Sequence, residues 1–166
     1  ILAFSRIGKS NENMEYIDLN QIVNVVILFQ NQTINEKNAI IKIDKLPIIY
    51  NHITPIKQIF QNLISNALKY AKADEYPRIE ITVEEFSNDW QFSIKDNGIG
   101  ISAEYFDKIF EIFQRLHVRD EYSGTGIGLS IVKKILENIG GKIWVESKEG
   151  EGNTFTFLIP KNSLKE

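Results

Sequence analysis

Asn62-Leu63-Ile64-Ser65-Asn66-Ala67-Leu68-Lys69-Tyr70 closes the most strongly patterned stretch of the chain. Just upstream, Thr54 can cap a helix and Pro55 suits its first turn. Ile56, Ile59, Phe60, Leu63, Ile64, Ala67, Leu68 and Ala71 then recur at helical spacing and form one apolar face. At about 100° per residue, Asn62, Asn66 and Lys69 fall within roughly 60° of one another, opposite that face. A solvated surface is the ordinary explanation for such a polar stripe. Two features weigh against it. Asparagine is a poor helix former, and a merely wet face is better served by Glu, Lys or Gln. An amide oxygen is also a hard ligand for Mg²⁺, and a lysine one turn further on suits a phosphate. Tyr70 lies at the edge of the stripe, where its ring can close over a ligand.

On the N-terminal side, Ile1 to Lys9 reads as the tail of another helix. Asp18 can cap a helix whose apolar positions are Leu19, Ile22, Val23, Val26 and Ile27. Ala39 to Ile43 and Ile48 to Tyr50 read as short strands. On the C-terminal side, Arg78 to Phe86 and Trp90 to Lys95 are strands joined by the turn Ser87-Asn88-Asp89, a hairpin. A short helix is expected from Ser102 to about Phe110, then a loop from Glu111 to Gly126. A helix over Ile127 to Ile139 should stop at Gly140-Gly141. Lys142 to Ser147 and Asn153 to Ile159 are the last two strands. This mixed order implies a two-layer α/β sandwich, a mixed sheet packed on one face against about three helices.

Three glycine-bearing stretches adjoin these elements. Asp96-Asn97-Gly98-Ile99-Gly100 follows a strand, where a carboxylate can accept a bond from an amino group such as that of adenine. Its glycines let the backbone approach a flat ring. Gly124-Thr125-Gly126-Ile127-Gly128-Leu129 runs into a helix and offers free amides to phosphate. It is not the dinucleotide fingerprint, because Leu129 stands where the last glycine belongs, and the chain has no Gly-x-x-x-x-Gly-Lys-Ser/Thr run. Gly150-Glu151-Gly152-Asn153-Thr154-Phe155 joins the last two strands. Each stretch alone is an ordinary turn. The chain also lacks the His-Arg-Asp and Asp-Phe-Gly sets of the common protein kinases.

Composition narrows the field further. The chain has 166 residues, 43% of them hydrophobic and 25% charged, which is material for one soluble domain with a real core. A net charge of −3 without long runs of one sign gives no nucleic-acid footprint. With no cysteine, disulfides, cysteine zinc sites and thiol chemistry are excluded. The two histidines, His52 and His117, are too far apart in sequence to read as a metal cluster. No apolar run reaches the ~20 residues of a membrane span, and the start lacks the order of a signal peptide. The chain opens mid-pattern without methionine and reads as a piece of a longer protein.

Order and spacing together resemble the histidine kinase branch of the family that includes gyrase, heat-shock chaperones of the ninety-kilodalton class and mismatch-repair ATPases. Asn62 to Tyr70 resembles the asparagine box of that family. Asp96 to Gly100, Gly124 to Leu129 and Gly150 to Phe155 resemble its three glycine boxes, and Phe110-Glu111-Ile112-Phe113 its phenylalanine box. The resemblance spans about Asp18 to Pro160 and implies the Bergerat ATP-binding fold. Where gyrase-like relatives carry a water-activating glutamate, this chain has Asn62, which cannot act as a carboxylate base.

By this resemblance, ATP and Mg²⁺ are the expected cofactors. Asn66 should hold the metal, and Asn62, Lys69 and Tyr70 should serve the metal and phosphates. Asp96 should bind the adenine amino group, with Gly98, Gly100, Ile101 and Thr154 shaping the pocket. Gly124, Thr125, Gly126, Ile127, Gly128 and Leu129 should cradle the phosphates. Phe110 and Phe113 should belong to a lid of the type seen in phytochrome-like and PAS-linked kinases. Arg115 should reach the γ-phosphate and, with Asn62 and Lys69, act in catalysis. Leu2 to Gly8 resembles the end of the dimerisation and phosphotransfer domain, so residues 1–12 are assigned to that helix and 13–166 to the catalytic domain. The acceptor histidine is expected upstream, because His52 and His117 lack the acidic neighbour of an acceptor. His52 is read as a surface residue leading a helix, and His117 as part of the lid. The expected partners are that phosphotransfer domain, within a homodimeric parent, and the receiver domain of a response regulator, with no nucleic acid. A cytoplasmic domain is expected, in a parent that a membrane anchor would not contradict. The rival readings are a nucleotide-binding regulatory pseudokinase, a hydrolytic ATPase of the same superfamily, and a serine kinase acting on an anti-anti-sigma factor.

Overall fold

Asp18 ends a four-residue strand and starts a helix, and its side chain explains both. Its Oδ1 accepts from the amides of Asn20 and Gln21 at 3.0 and 3.4 Å, two donors a helix start leaves free. The structure, a computed structural model, describes residues 12–111 and 128–161. In order, these form β1 (Glu15–Asp18), α1 (Leu19–Phe29), α2 (Asn31–Lys37), β2 (Ile40–Ile43), β3 (Ile48–Asn51) and α3 (Ile53–Lys69). Then come β4 (Arg78–Glu85), β5 (Asp89–Asp96), α4 (Gly128–Asn138), β6 (Lys142–Lys148) and β7 (Gly152–Pro160).

The main sheet has five strands in the order β2-β4-β5-β7-β6. It is mixed: β2 runs parallel to β4, and every other neighbour is antiparallel. β1 and β3 pair separately as a two-stranded antiparallel ribbon. The apolar faces of α1, α3 and α4 supply the helix side of the core, whereas α2 contributes no buried residue. The expected two-layer α/β sandwich is the architecture found. Phe60 of α3 meets Phe92 and Phe157 edge-on, at centroid distances of 6.0 and 5.6 Å, and those two rings stack at 5.2 Å. All three rings are fully buried, so they join the helix layer to the middle of the sheet.

Two local expectations change. Thr54 does not cap α3, because the helix begins one residue before it and His52 occupies the cap position without a side-chain bond. Glu12 supplies the acceptor instead. Its carboxylate takes the Thr54 amide at 3.1 Å and the Thr54 hydroxyl at 2.7 Å, placing negative charge at the positive end of the helix. Between Ser102 and Phe110 there is no α-helix but two 3₁₀ turns, Ala103–Tyr105 and Lys108–Phe110. Only Ile109 of these turns is buried, too little packing to offset the cost of nucleating a short helix.

At the other end of α3, the Lys37 ammonium donates to the Leu68 carbonyl at 2.6 Å. A cation at a helix C-terminus satisfies a free carbonyl and opposes the negative dipole end. Lys37→Met keeps the stem and removes the charge, and it should lower stability by about 1–2 kcal/mol. Urea unfolding checks this, and an unchanged midpoint would mean the bond contributes nothing.

Candidate functional site

The polar stripe of α3 faces the start of α4. A Cβ built on Gly128 would stand 3.8 Å from the Asn62 Oδ1. Asn62, Asn66 and Lys69 are half-buried, and the Lys69 ammonium sits 5.8 Å from the centroid of the half-buried Tyr70 ring. The Asn62 Nδ2 is buried and has no hydrogen-bond partner among the described residues. An orphaned donor of that kind costs free energy unless a ligand or solvent completes it.

The glycine loop after β5 is fastened to the end of α3. The Tyr70 carbonyl accepts from the Ile99 amide at 3.0 Å, and a Cβ on Gly98 would stand 2.5 Å from that same oxygen. Asn97 holds the other side, accepting from the Arg78 amide at 2.7 Å and donating to the Tyr76 carbonyl at 3.0 Å. Gly100 has a φ of +76°, and any side chain there would collide with the Lys148 carbonyl. The Gly150 amide donates to the Ile99 carbonyl at 2.8 Å. The first and third glycine stretches, about fifty residues apart in sequence, therefore form one wall.

Asp96 stands in this wall and is only 6% exposed. Its Oδ1 accepts from the Gly98 amide at 2.8 Å and the Asn153 amide at 3.3 Å. Burial raises its carboxyl above the ordinary 3.8, and the bonds from Gly98 and Asn153 partly offset that rise. A carboxylate fixed in this way is a directional acceptor for an amino group. Ile101 is buried beside it, and its amide donates to the Ser147 hydroxyl at 2.7 Å. Phe110 is half-buried, its ring edge-on to Phe155 with centroids 6.2 Å apart. Leu129 is half-buried and packs against the core.

Thr154 is not brought into this cluster. It pairs with Lys95 across β5 and β7, and directly opposed residues share a sheet face. Lys95 is exposed, whereas Asp96 and Asn153 point to the buried side. Asn153 and Ser147, absent from the sequence expectations, hold the pocket instead. The strand period carried the signal: Asn153 is in phase with Phe155, Phe157 and Ile159, and Thr154 is not. His52 is half-buried rather than a surface residue, and its Nδ1 is buried without a hydrogen-bond partner among the described residues. Phe113, Arg115, His117, Gly124, Thr125, Gly126 and Ile127 lie outside the described residues.

The donor set suits a magnesium nucleotide. Among the described residues, no three His, Cys, Asp or Glu side chains gather in a metal cluster. Mg²⁺ needs none, since it keeps several waters and takes one or two protein oxygens plus phosphate. Asn66 would supply such an oxygen, and the unpaired Asn62 amide a donor beside it.

Known proteins share this sequence pattern and fold. The sequence model of the histidine kinase-, DNA gyrase B- and HSP90-like ATPases matches residues 51–163. The phytochrome-like protein Cph1 of Synechocystis sp. is 42% identical over 160 residues, 96% of this chain and 21% of that protein. The chain thus spans about a fifth of that relative's length. The catalytic domain of histidine kinase ThkA superposes with a TM-score of 0.76 at 31% identity, covering 92% of this chain and all of that one. ThkA in complex with the response regulator protein TrrA gives a TM-score of 0.73 at 29% identity, over 92% of this chain and 43% of that one. The chain belongs to the histidine kinase-, DNA gyrase B- and HSP90-like ATPase family, and it is an ATP-binding catalytic domain of the histidine kinase branch.

Proposed function

We propose that this domain binds Mg·ATP and transfers the γ-phosphoryl group to a histidine of a dimerisation and phosphotransfer domain in the same parent protein. The phosphoryl group would then pass to an aspartate on the receiver domain of a response regulator. The observation that carries the reading is the buried Asp96 carboxylate set in a wall made by two distant glycine stretches. In this reading Asp96 takes the adenine amino group, and Gly98, Gly100 and Ile101 form the floor under the ring. Asn66 holds the metal, while Asn62, Lys69 and Tyr70 orient the phosphates.

Bound Mg²⁺ would neutralise charge on the phosphate oxygens. The transfer breaks the bond between the γ-phosphorus and the bridging oxygen, leaving ADP, and makes a phosphorus–nitrogen bond to imidazole. Such a transfer is mainly a matter of positioning and charge stabilisation, the work assigned to Lys69 and Arg115. Asn62 cannot deprotonate water, so hydrolysis should be slow beside transfer. The phosphate cradle is assigned to Gly124 through Leu129, and Phe110 with Phe113 to the lid. Residues 1–12 are assigned to the end of the phosphotransfer helix, within a homodimeric parent. No helix among the described residues is long and apolar enough to cross a membrane. A cytoplasmic domain, where ATP and receiver domains are available, fits the reading.

Calorimetric titration with ADP and a non-hydrolysable ATP analogue, with and without Mg²⁺, tests it. The wild-type domain should bind both nucleotides more tightly with the metal. Asn66→Ala should lose most of that metal dependence while keeping its fold. A folded wild type that binds neither nucleotide would overturn the reading in favour of a regulatory pseudokinase. Rapid phosphate release by the isolated domain would favour a hydrolytic ATPase.

A further inference from the structure

We propose that Ser147 is the positioning residue that sets adenine selectivity, holding Ile101 with one side of its hydroxyl and aiming Asp96 through Asn153 with the other. The inference rests on the nucleotide reading above.

The Ser147 Oγ accepts from the Ile101 amide at 2.7 Å, lies 3.0 Å from the Gly152 carbonyl, and is hydrogen-bonded to the Asn153 Oδ1. A hydroxyl has one proton to give. Given to the Asn153 Oδ1, it anchors that side chain against β6. Asn153 in turn donates its backbone amide to the Asp96 Oδ1 at 3.3 Å. The four residues thus form a one-directional chain. Ile101 N–H donates to Ser147, Ser147 O–H donates to Asn153, and Asn153 N–H donates to Asp96. Bonds in such a chain polarise one another, and each fixes the orientation of the next.

Asn153 is only 4% exposed, so solvent cannot replace a missing partner. Without the Ser147 hydroxyl, the Asn153 side chain loses the anchor that holds its backbone amide against Asp96. A backbone amide that draws back frees the carboxylate to turn away from the amino group. The loss should fall on adenine, which offers an amino group at that position, and spare guanine, which offers a carbonyl.

The test is equilibrium binding of ADP and GDP to the wild type, Ser147→Ala, Ser147→Thr and Ser93→Ala. The last removes a hydroxyl paired 3.2 Å from the Thr156 hydroxyl elsewhere in the sheet, and serves as the structural control. Ser147→Ala should bind ADP on the order of tenfold more weakly, the scale of one lost hydrogen bond. GDP binding should change far less, so the ADP-to-GDP preference falls. Ser147→Thr, which keeps the hydroxyl, should restore ADP affinity, and Ser93→Ala should leave both nucleotides unchanged. The acid limb of ADP binding should also move to higher pH in Ser147→Ala, because Asp96 loses a donor that holds it ionised. A folded Ser147→Ala with wild-type ADP affinity, or one losing ADP and GDP equally, would overturn the assignment. If Ser147→Ala does not fold, Ser147→Thr decides, since failure to keep the ADP preference would overturn it. A wild type that binds no nucleotide sinks the parent reading first, and this one with it.

Discussion

Asp96→Asn should weaken ADP binding by roughly a hundredfold, the scale of about 2–3 kcal/mol for a lost bond to a charged acceptor. The amide can keep its oxygen toward the Gly98 and Asn153 donors, since both bond to Oδ1 in the wild type. The Nδ2 then faces the ligand, so a donor meets the donor of an amino group. Stability should move the other way. Burial holds the Asp96 carboxyl above 3.8 in the folded protein, so in that window the folded state keeps a proton the unfolded state has released. That contribution is fully present below 3.8 and is lost as pH rises through the folded value. At neutral pH the charged carboxylate is therefore a cost, and Asp96→Asn should unfold at the same or a higher denaturant concentration. Nucleotide binding by the wild type needs the ionised form, so it should fall as pH drops through the raised value. Calorimetry beside urea unfolding checks both signs. Unchanged ADP affinity would remove Asp96 from the adenine site.

Gly152→Ala should be the most damaging glycine substitution in the site. Gly152 has a φ of +98°, and a Cβ there would run into the Asp96 carbonyl and the Asn97 backbone. Backbone on both sides leaves no flexible side chain to yield. Steric overlap and left-handed strain together should cost about 3 kcal/mol, lowering the unfolding midpoint by roughly 6–12 °C. The displaced strand would carry Asn153 away from Asp96, so ADP affinity should fall too. Gly150 is the control, with a φ of +81° but nothing within 4 Å of a built Cβ. Gly150→Ala should cost only the strain, about 1 kcal/mol, and leave binding intact. Equal midpoints for the two variants would mean that the close approach of β7 to Asp96 is not a constraint.

Much of this architecture is legible in the sequence where one period dominates. α3 announces itself because eight of its residues are buried on one stripe. The β4–β5 hairpin does so because its inward residues alternate. α2 is not legible, because Asn31-Gln32-Thr33-Ile34-Asn35-Glu36-Lys37 has one apolar residue and no buried one, and is fastened mainly at its C-terminal end by the Lys37 bond to Leu68 and the left-handed Asn38. β1 was missed because a single buried residue, Ile17, carries its pattern. In the site, Asn62, Asn66 and Lys69 stand out as a stripe of poor helix formers and a cation opposite the apolar face, and Asp96 because a carboxylate interrupts the inward apolar alternation of β5. Ser147 and Asn153 do not, since serine and asparagine flanking a glycine turn are ordinary there. Only pairing β6 with β7 shows that they face each other. The glycine stretch alone points to Thr154, whereas strand phase selects Asn153.

The central claim is transfer to a histidine outside this chain. The most direct measurement mixes the domain with γ-labelled ATP, Mg²⁺ and the dimerisation and phosphotransfer domain of its parent, then locates the label. The predicted result is acid-labile label on the histidine of that added domain, none on His52 or His117, and no label anywhere when the added domain is left out. Label on His52 or His117, or release of phosphate with no labelled protein, would contradict it.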